Sequence, residues 1–188
     1  RFSLWTSPHQ PWSEVLTAAR HADATGWDGV WVADHFMPDQ PGPFPPDTPT
    51  LEAGSLLAAL GAATERVRVG PLVLGNTYRH PAVVANMAAT IDHVTGGRFV
   101  LGLGAGWQVN EHEQYGIELP PPRERVDRFA EAVQVVRGLL TQPTTTFHGE
   151  HYRVTDALCE PKPVQARLPI LVGGKGDRML GVAARHAA

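Results

Sequence analysis

Short apolar segments alternate with longer stretches of helical periodicity, and this alternation limits the folds open to the chain more than any other feature. The apolar runs are Phe2 to Trp5, Gly29 to Ala33, Val67 to Leu74, Phe99 to Leu103 and Leu168 to Val172. Between them, Ser13 to Ala24 carries Val15, Leu16, Ala19 and Ala22 at helical spacing, and Gly26 then stops it. Leu51 to Thr64, Pro81 to Val94 and the strongly amphipathic Arg123 to Leu140 read as further helices, and Met179 to Ala187 begins another. Pro81 suits a first helical turn. Runs that are apolar on both faces and separated by helices predict a parallel sheet covered on both sides. Two architectures satisfy this, a closed (β/α)8 barrel and an open doubly wound sheet. A barrel needs eight strand–helix units, and the chain supplies five.

The remaining segments are irregular. Pro38 to Pro49, rich in proline and glycine, is long enough to predict a lid or binding loop. Phe147 to Tyr152 predicts a small hairpin around Gly149.

Composition narrows the partners. A formal charge of −3 without a basic run argues against nucleic acid. There is no apolar run of about 18 residues, and so no expected membrane span. A single Cys159 excludes an internal disulfide framework and suits a reducing compartment. No secretory leader is recognisable, and the expected location is cytoplasmic. The expectation is a single incomplete domain over residues 1–188.

Polar and glycine residues collect just after the apolar runs. Asp34 and His35 follow the second, Asn76, Thr77, Arg79 and His80 the third, Gly106, Trp107 and Asn110 the fourth, and Gly173, Gly174, Lys175 and Gly176 the fifth. In a parallel sheet these groups gather at one mouth. Gly102, Gly104 and Gly106 remove side chains where the backbone bends or approaches a ligand. His35 is either a satisfied core histidine or a proton carrier beside a bound ring. His80 is best explained as a cap of the following helix. Gly173 to Gly176 offers backbone N–H groups at a helix amino end, an anion site to which Lys175 adds charge.

Other chemistries lack their residues. Gly102-x-Gly104-x-x-Trp107 misses the third glycine of a dinucleotide fingerprint, and Gly173 to Gly176 lacks P-loop spacing. His148 and His151 have no third ligand for a metal. No serine or cysteine stands in a nucleophile elbow. Glu124 and Arg128 are spaced as an i,i+4 surface pair.

Four segments carry a resemblance. They are Gly26-Trp-Asp-Gly-Val-Trp-Val-Ala-Asp-His35, Val69-Gly-Pro-Leu-Val-Leu-Gly-Asn-Thr-Tyr-Arg-His-Pro81, Gly96-Gly-Arg-Phe-Val-Leu-Gly-Leu-Gly-Ala-Gly-Trp107, and Pro161-Lys-Pro-Val-Gln165 leading to Pro169-Ile-Leu-Val-Gly-Gly174. In order and spacing the chain resembles the luciferase-like monooxygenase superfamily, in particular its coenzyme F420-dependent oxidoreductases. FMN-dependent members are the near neighbours and FMN is the alternative cofactor. The resemblance implies an α/β fold, a TIM-like (β/α)8 barrel of which about the first five units are present. It implies a (deaza)flavin at the carboxyl ends of the strands and hydride transfer to or from an organic substrate.

The resemblance assigns roles. His35, with Asp34 beside it, becomes the catalytic group. A non-proline cis peptide is implied within Leu72, Val73 and Leu74, forming a bulge behind the ring. Asn76, Gly106, Trp107, Asn110, Gly173, Gly174, Lys175 and Gly176 become coenzyme contacts. Trp107 stands where the sugar-phosphate dehydrogenases of the superfamily carry a glutamate, which implies instead an apolar or planar substrate, or a role packing over the ring. An incomplete barrel exposes sheet edges, so a homodimer is an expected partner state. Two alternatives remain from other classes. Val100-Leu-Gly-Leu-Gly-Ala-Gly106 also resembles the glycine loop of S-adenosylmethionine-dependent methyltransferases, and a truncated barrel need not be catalytic.

Overall fold

The apolar runs pair as parallel strands in a computed structural model that describes residues 2–187. β1 (Ser3–Thr6) pairs with β2 (Gly29–Val32), and β2 with β3 (Arg68–Pro71), in registers Ser3 to Gly29 and Gly29 to Arg68. β4 (Leu74–Gly75) pairs with β5 (Leu101–Gly104), which pairs with the last parallel strand, β8 (Ile170–Gly173). A bridge between Val69 and Phe99 joins the two halves. The result is one parallel arc ordered β1, β2, β3 with β4, β5, β8. It contains five strand positions, because β3 and β4 are two parts of one interrupted strand.

Helices cover the outside of the arc. They are α1 (Trp12–Ala24), α2 (Ala53–Ala63), α3 (Pro81–Thr95), α4 (Val109–Tyr115), α5 (Pro122–Thr141) and α6 (Asp177–His186). The apolar stripe of α1 turns inward as Val15, Ala19 and Ala22. That of α5 presents Phe129, Val133, Val136 and Leu139 to the same core. Leu101 of β5 lies beneath the helical layer, as do Phe99 and Leu57, with no exposed surface. Each such side chain stabilises the fold by about 1.5–3 kcal/mol relative to its exposed state. Helix ends follow local chemistry. Pro81 opens α3, the His80 imidazole accepts the Ala82 N–H at 3.2 Å, and Gly96 closes the helix at φ 62°. Glu52 caps α2 by accepting from Gly54 and Ser55.

Three expectations are corrected. The apolar run Val67 to Leu74 is not one strand: pairing stops at Pro71, the Leu72–Val73 peptide is cis, and pairing resumes at Leu74. The stretch after Gly104 is not all loop, since α4 forms within it. The hairpin is wider than Phe147 to Tyr152, its strands being β6 (Thr145–His148) and β7 (Arg153–Ala157). The Pro38 to Pro49 loop carries no helix or strand, as expected.

The break at Leu72 is what shapes the interior. A Cβ on Gly102 would lie 2.1 Å from the Pro71 carbonyl, and on Gly104 or Gly173 it would lie 2.7 or 2.8 Å from a Val73 methyl. Three glycines on two neighbouring strands therefore make room for the bulge, and Val73 fills the space that their side chains would occupy. Gly102 thus serves a neighbouring strand and not a ligand.

Candidate active site

A cavity of about 670 Å³ opens at the carboxyl ends of the strands. Its lining is contributed in turn by each strand position: Trp5 from β1, Asp34 and His35 after β2, Leu72 to Gly75 at the bulge, Gly104 to Trp107 after β5, and Gly173 to Lys175 after β8. The convergence expected of the strand ends is therefore present for His35, Asp34, Leu72, Val73, Leu74, Gly106, Trp107, Gly173, Gly174 and Lys175.

Three expected contacts lie elsewhere. Asn76 lines a separate recess of about 260 Å³ and donates to the Tyr152 hydroxyl at 3.2 Å. Gly176 caps α6, beyond the cavity lining. Asn110, on α4, donates its amide N–H to the Pro38 carbonyl at 2.9 Å and so ties the long loop down. Its amide oxygen is buried without a partner among the described residues.

Asp34, at the polar side of the cavity, is held by ion pairs. Arg79 donates both guanidinium arms to Asp34, at 2.8 and 2.9 Å, and a further bond to Glu52 at 2.6 Å. Asp34 also accepts the Gly75 N–H at 2.8 Å, which ties the end of β2 to the end of β4. Asp34 is fully engaged, and it orients the turn that carries His35. Burial pushes the Arg79 guanidinium down, but the carboxylates of Asp34 and Glu52 outweigh it and hold it above its ordinary value. Burial pushes Glu52 up, yet the N–H groups of Ser55 and Gly54 together with Arg79 bring it to about 2.

A second network reaches His35 from behind. Glu111 on α4 accepts from a ring nitrogen of His35 at 2.9 Å, from the Phe36 N–H at 2.7 Å and from the Tyr78 hydroxyl. Burial pushes the Glu111 carboxyl up, and these hydrogen bonds, His35 foremost, more than reverse it. Burial and the Glu111 carboxylate together push the Tyr78 phenol well above its usual value. Trp107 meets the His35 ring edge-on, centroids 5.6 Å apart, and is 56% exposed at the rim. Phe36 stacks against Tyr115 and lies under Arg79, 5.9 Å from ring centroid to guanidinium carbon.

Glu111, Tyr78 and the pairing role of Arg79 escaped the sequence reading. The available signal was slight: a glutamate beside Asn110, and an arginine beside a helix cap when Asp34 already required a cation. The glycines of Val100 to Gly106 are not an S-adenosylmethionine loop, since Gly102 and Gly104 lie within β5 against Pro71 and Val73.

Comparison with known proteins agrees with this geometry. A family model described as luciferase-like monooxygenase matches residues 1–188. An F420-dependent glucose-6-phosphate dehydrogenase of Microbacterium testaceum is 36% identical over 178 residues, covering 93% of the chain and 51% of that protein. A pyrimidine monooxygenase, RutA, of Allorhizobium ampelinum is 38% identical over 138 residues, covering 72% of the chain and 37% of that protein. Among solved structures, an F420-dependent secondary alcohol dehydrogenase in complex with an F420-acetone adduct superposes with TM-score 0.86 at 28% identity, over 98% of this chain and 55% of that one. The chain thus spans about half the length of the glucose-6-phosphate dehydrogenase and of the alcohol dehydrogenase.

Proposed function

The chain belongs to the luciferase-like monooxygenase family, and from that premise we propose that it is the coenzyme-binding part of an F420-dependent oxidoreductase. The observation that carries this reading is the cavity itself. Its floor is formed at Val73, seated among glycines, and a histidine stands at its edge. Such a floor suits a flat polycyclic ring.

The residues divide the work. Leu72, Val73 and Leu74 would support the ring from the cavity wall. Gly106, Gly173 and Gly174 would bring bare backbone close to a phosphate-bearing tail, with Lys175 adding charge. When bound, the deazaflavin supplies the carbon that accepts or donates hydride. His35 moves the accompanying proton, held in place by the turn that Asp34 and Arg79 fix. Trp5 and Trp107, both more than half exposed, would stand at the mouth beside the ring.

The substrate class follows from the lining. Trp5, Leu72, Trp107 and Met179 are apolar, and Lys175 is the only lysine or arginine among the lining residues described. We infer an uncharged alcohol and its carbonyl product, the chemistry named for the solved secondary alcohol dehydrogenase. Trp107 in place of a carboxylate disfavours a sugar phosphate.

A parallel fluorescence titration with F420 and with FMN tests the reading. Saturable binding of F420 in preference to FMN is the expected result. Preference for FMN moves the chain to the flavin-dependent monooxygenases, towards which the similarity to RutA points. Binding of neither overturns the proposal.

A further inference from the structure

Glu111 is not among the residues that line the cavity, and its side chain has no exposed surface. A buried carboxylate away from the substrate needs a reason to be there, because burying it costs free energy unless every lone pair is matched. The matching is specific. One oxygen accepts from the Phe36 backbone N–H at 2.7 Å, and the other accepts from Nδ1 of His35 at 2.9 Å and from the Tyr78 hydroxyl.

An ionised carboxylate only accepts. A hydrogen bond between it and Nδ1 therefore requires the proton to sit on Nδ1. Neutral imidazole carries a single N–H, so Nε2 keeps its lone pair. Nε2 has no hydrogen-bond partner among the described residues, and His35 lines the cavity. The alternative tautomer would place two acceptors face to face across 2.9 Å.

We propose that Glu111 is a positioning residue that locks His35 in its Nδ1–H tautomer, making Nε2 the acceptor of the substrate hydroxyl proton. In the oxidation direction the O–H bond breaks toward Nε2, the carbon–hydrogen electron pair leaves as hydride to the coenzyme, and a carbonyl forms. The inference rests on the oxidoreductase reading of the cavity for the role of Nε2, but not for the state of the ring.

The Phe36 N–H makes the test sharp, because a backbone amide can only donate. In Glu111→Gln the amide oxygen must face Phe36, which turns the NH₂ toward His35. That NH₂ donates to Nδ1 and drives the ring proton to Nε2. The readout is the pair of ¹⁵N ring shifts of His35 in the full chain, assigned by difference from His35→Ala, at about pH 8, above the ordinary imidazole range.

The wild-type protein is expected to show a protonated Nδ1 and an unprotonated Nε2, Glu111→Gln the reverse, and Tyr78→Phe the wild-type pattern. Alcohol oxidation by Glu111→Gln is expected to lose on the order of 10²-fold in kcat with KM little changed. A wild-type ring protonated at Nε2, or a Glu111→Gln ring still protonated at Nδ1, overturns the proposal. The first result decides even if the variant does not fold. Full turnover by His35→Ala overturns the proton role of His35, while the ¹⁵N shifts still report separately on what Glu111 does to the ring.

Discussion

At the amino ends of the strands, Arg98 donates to the carbonyls of Gly61, Thr64 and Val67 at 3.0, 2.7 and 2.6 Å, and Asp23 accepts from the N–H groups of Glu65, Arg66 and Val67. At the carboxyl ends, charged side chains bond largely to one another: Arg79 to Asp34 and Glu52, Glu111 to His35 and Tyr78. Both ends tie ionisable groups into hydrogen bonds, but their company differs. A charge spent on backbone fastens loops and leaves nothing free to react. A charge spent on another side chain fixes that side chain while leaving its far edge facing a cavity. The first arrangement is scaffold and the second is a site.

The contrast breaks most visibly by exchanging the damage. Removal of His35 by substitution with Ala is expected to lower turnover by about 10²–10⁴-fold while the urea midpoint stays close to wild type, because the ring is partly exposed. Arg98→Ala is expected to do the opposite. It leaves three carbonyls without a charged donor and lowers stability by about 3 kcal/mol in urea unfolding, with coenzyme affinity of the folded protein unchanged. An Arg98 variant that unfolds normally but binds coenzyme poorly would erase the distinction.

A smaller effect is expected at the cavity floor. In Gly173→Ala the new methyl would stand 2.8 Å from Val73, and a β-branched side chain has little freedom to yield. The expected cost is about 1–3 kcal/mol together with weaker coenzyme binding, measured on the same sample. Smallest is the pH effect of Glu52. Its carboxyl is held at about 2 against an ordinary 4.5. Its contribution is therefore fully present above about pH 4.5 and is lost as the pH falls toward 2. The difference in urea midpoint between wild type and Glu52→Gln is expected to shrink between pH 7 and about pH 3; a constant difference would detach Glu52 from the Arg79 network.

Much of the fold was legible because hydropathy reports it directly. Runs apolar on both faces became parallel strands, and the stripes of α1 and α5 faced the core. The break at Leu72 was hidden from periodicity, since Leu-Val-Leu reads as strand whether or not it pairs; only the family resemblance located it. α4 was missed because seven residues, mostly polar, give no stripe to detect. The candidate site was legible wherever it consists of strand ends, as at His35, Trp107 and Gly173. It was not legible where it consists of pairings across sequence: Glu111 lies 76 residues from His35, and Arg79 lies 45 from Asp34. Spacing in a sequence carries no record of such contacts until the chain is folded.

The position of Val73 has a mechanical consequence. It touches the ground that Gly104 and Gly173 vacate while being covalently part of the segment that leads into β4. One side chain thus acts as a wedge between three strand ends. A molecule pressing on that wedge loads β4, β5 and β8 together, so the cavity floor answers as a single stiff plate and not as three independent edges.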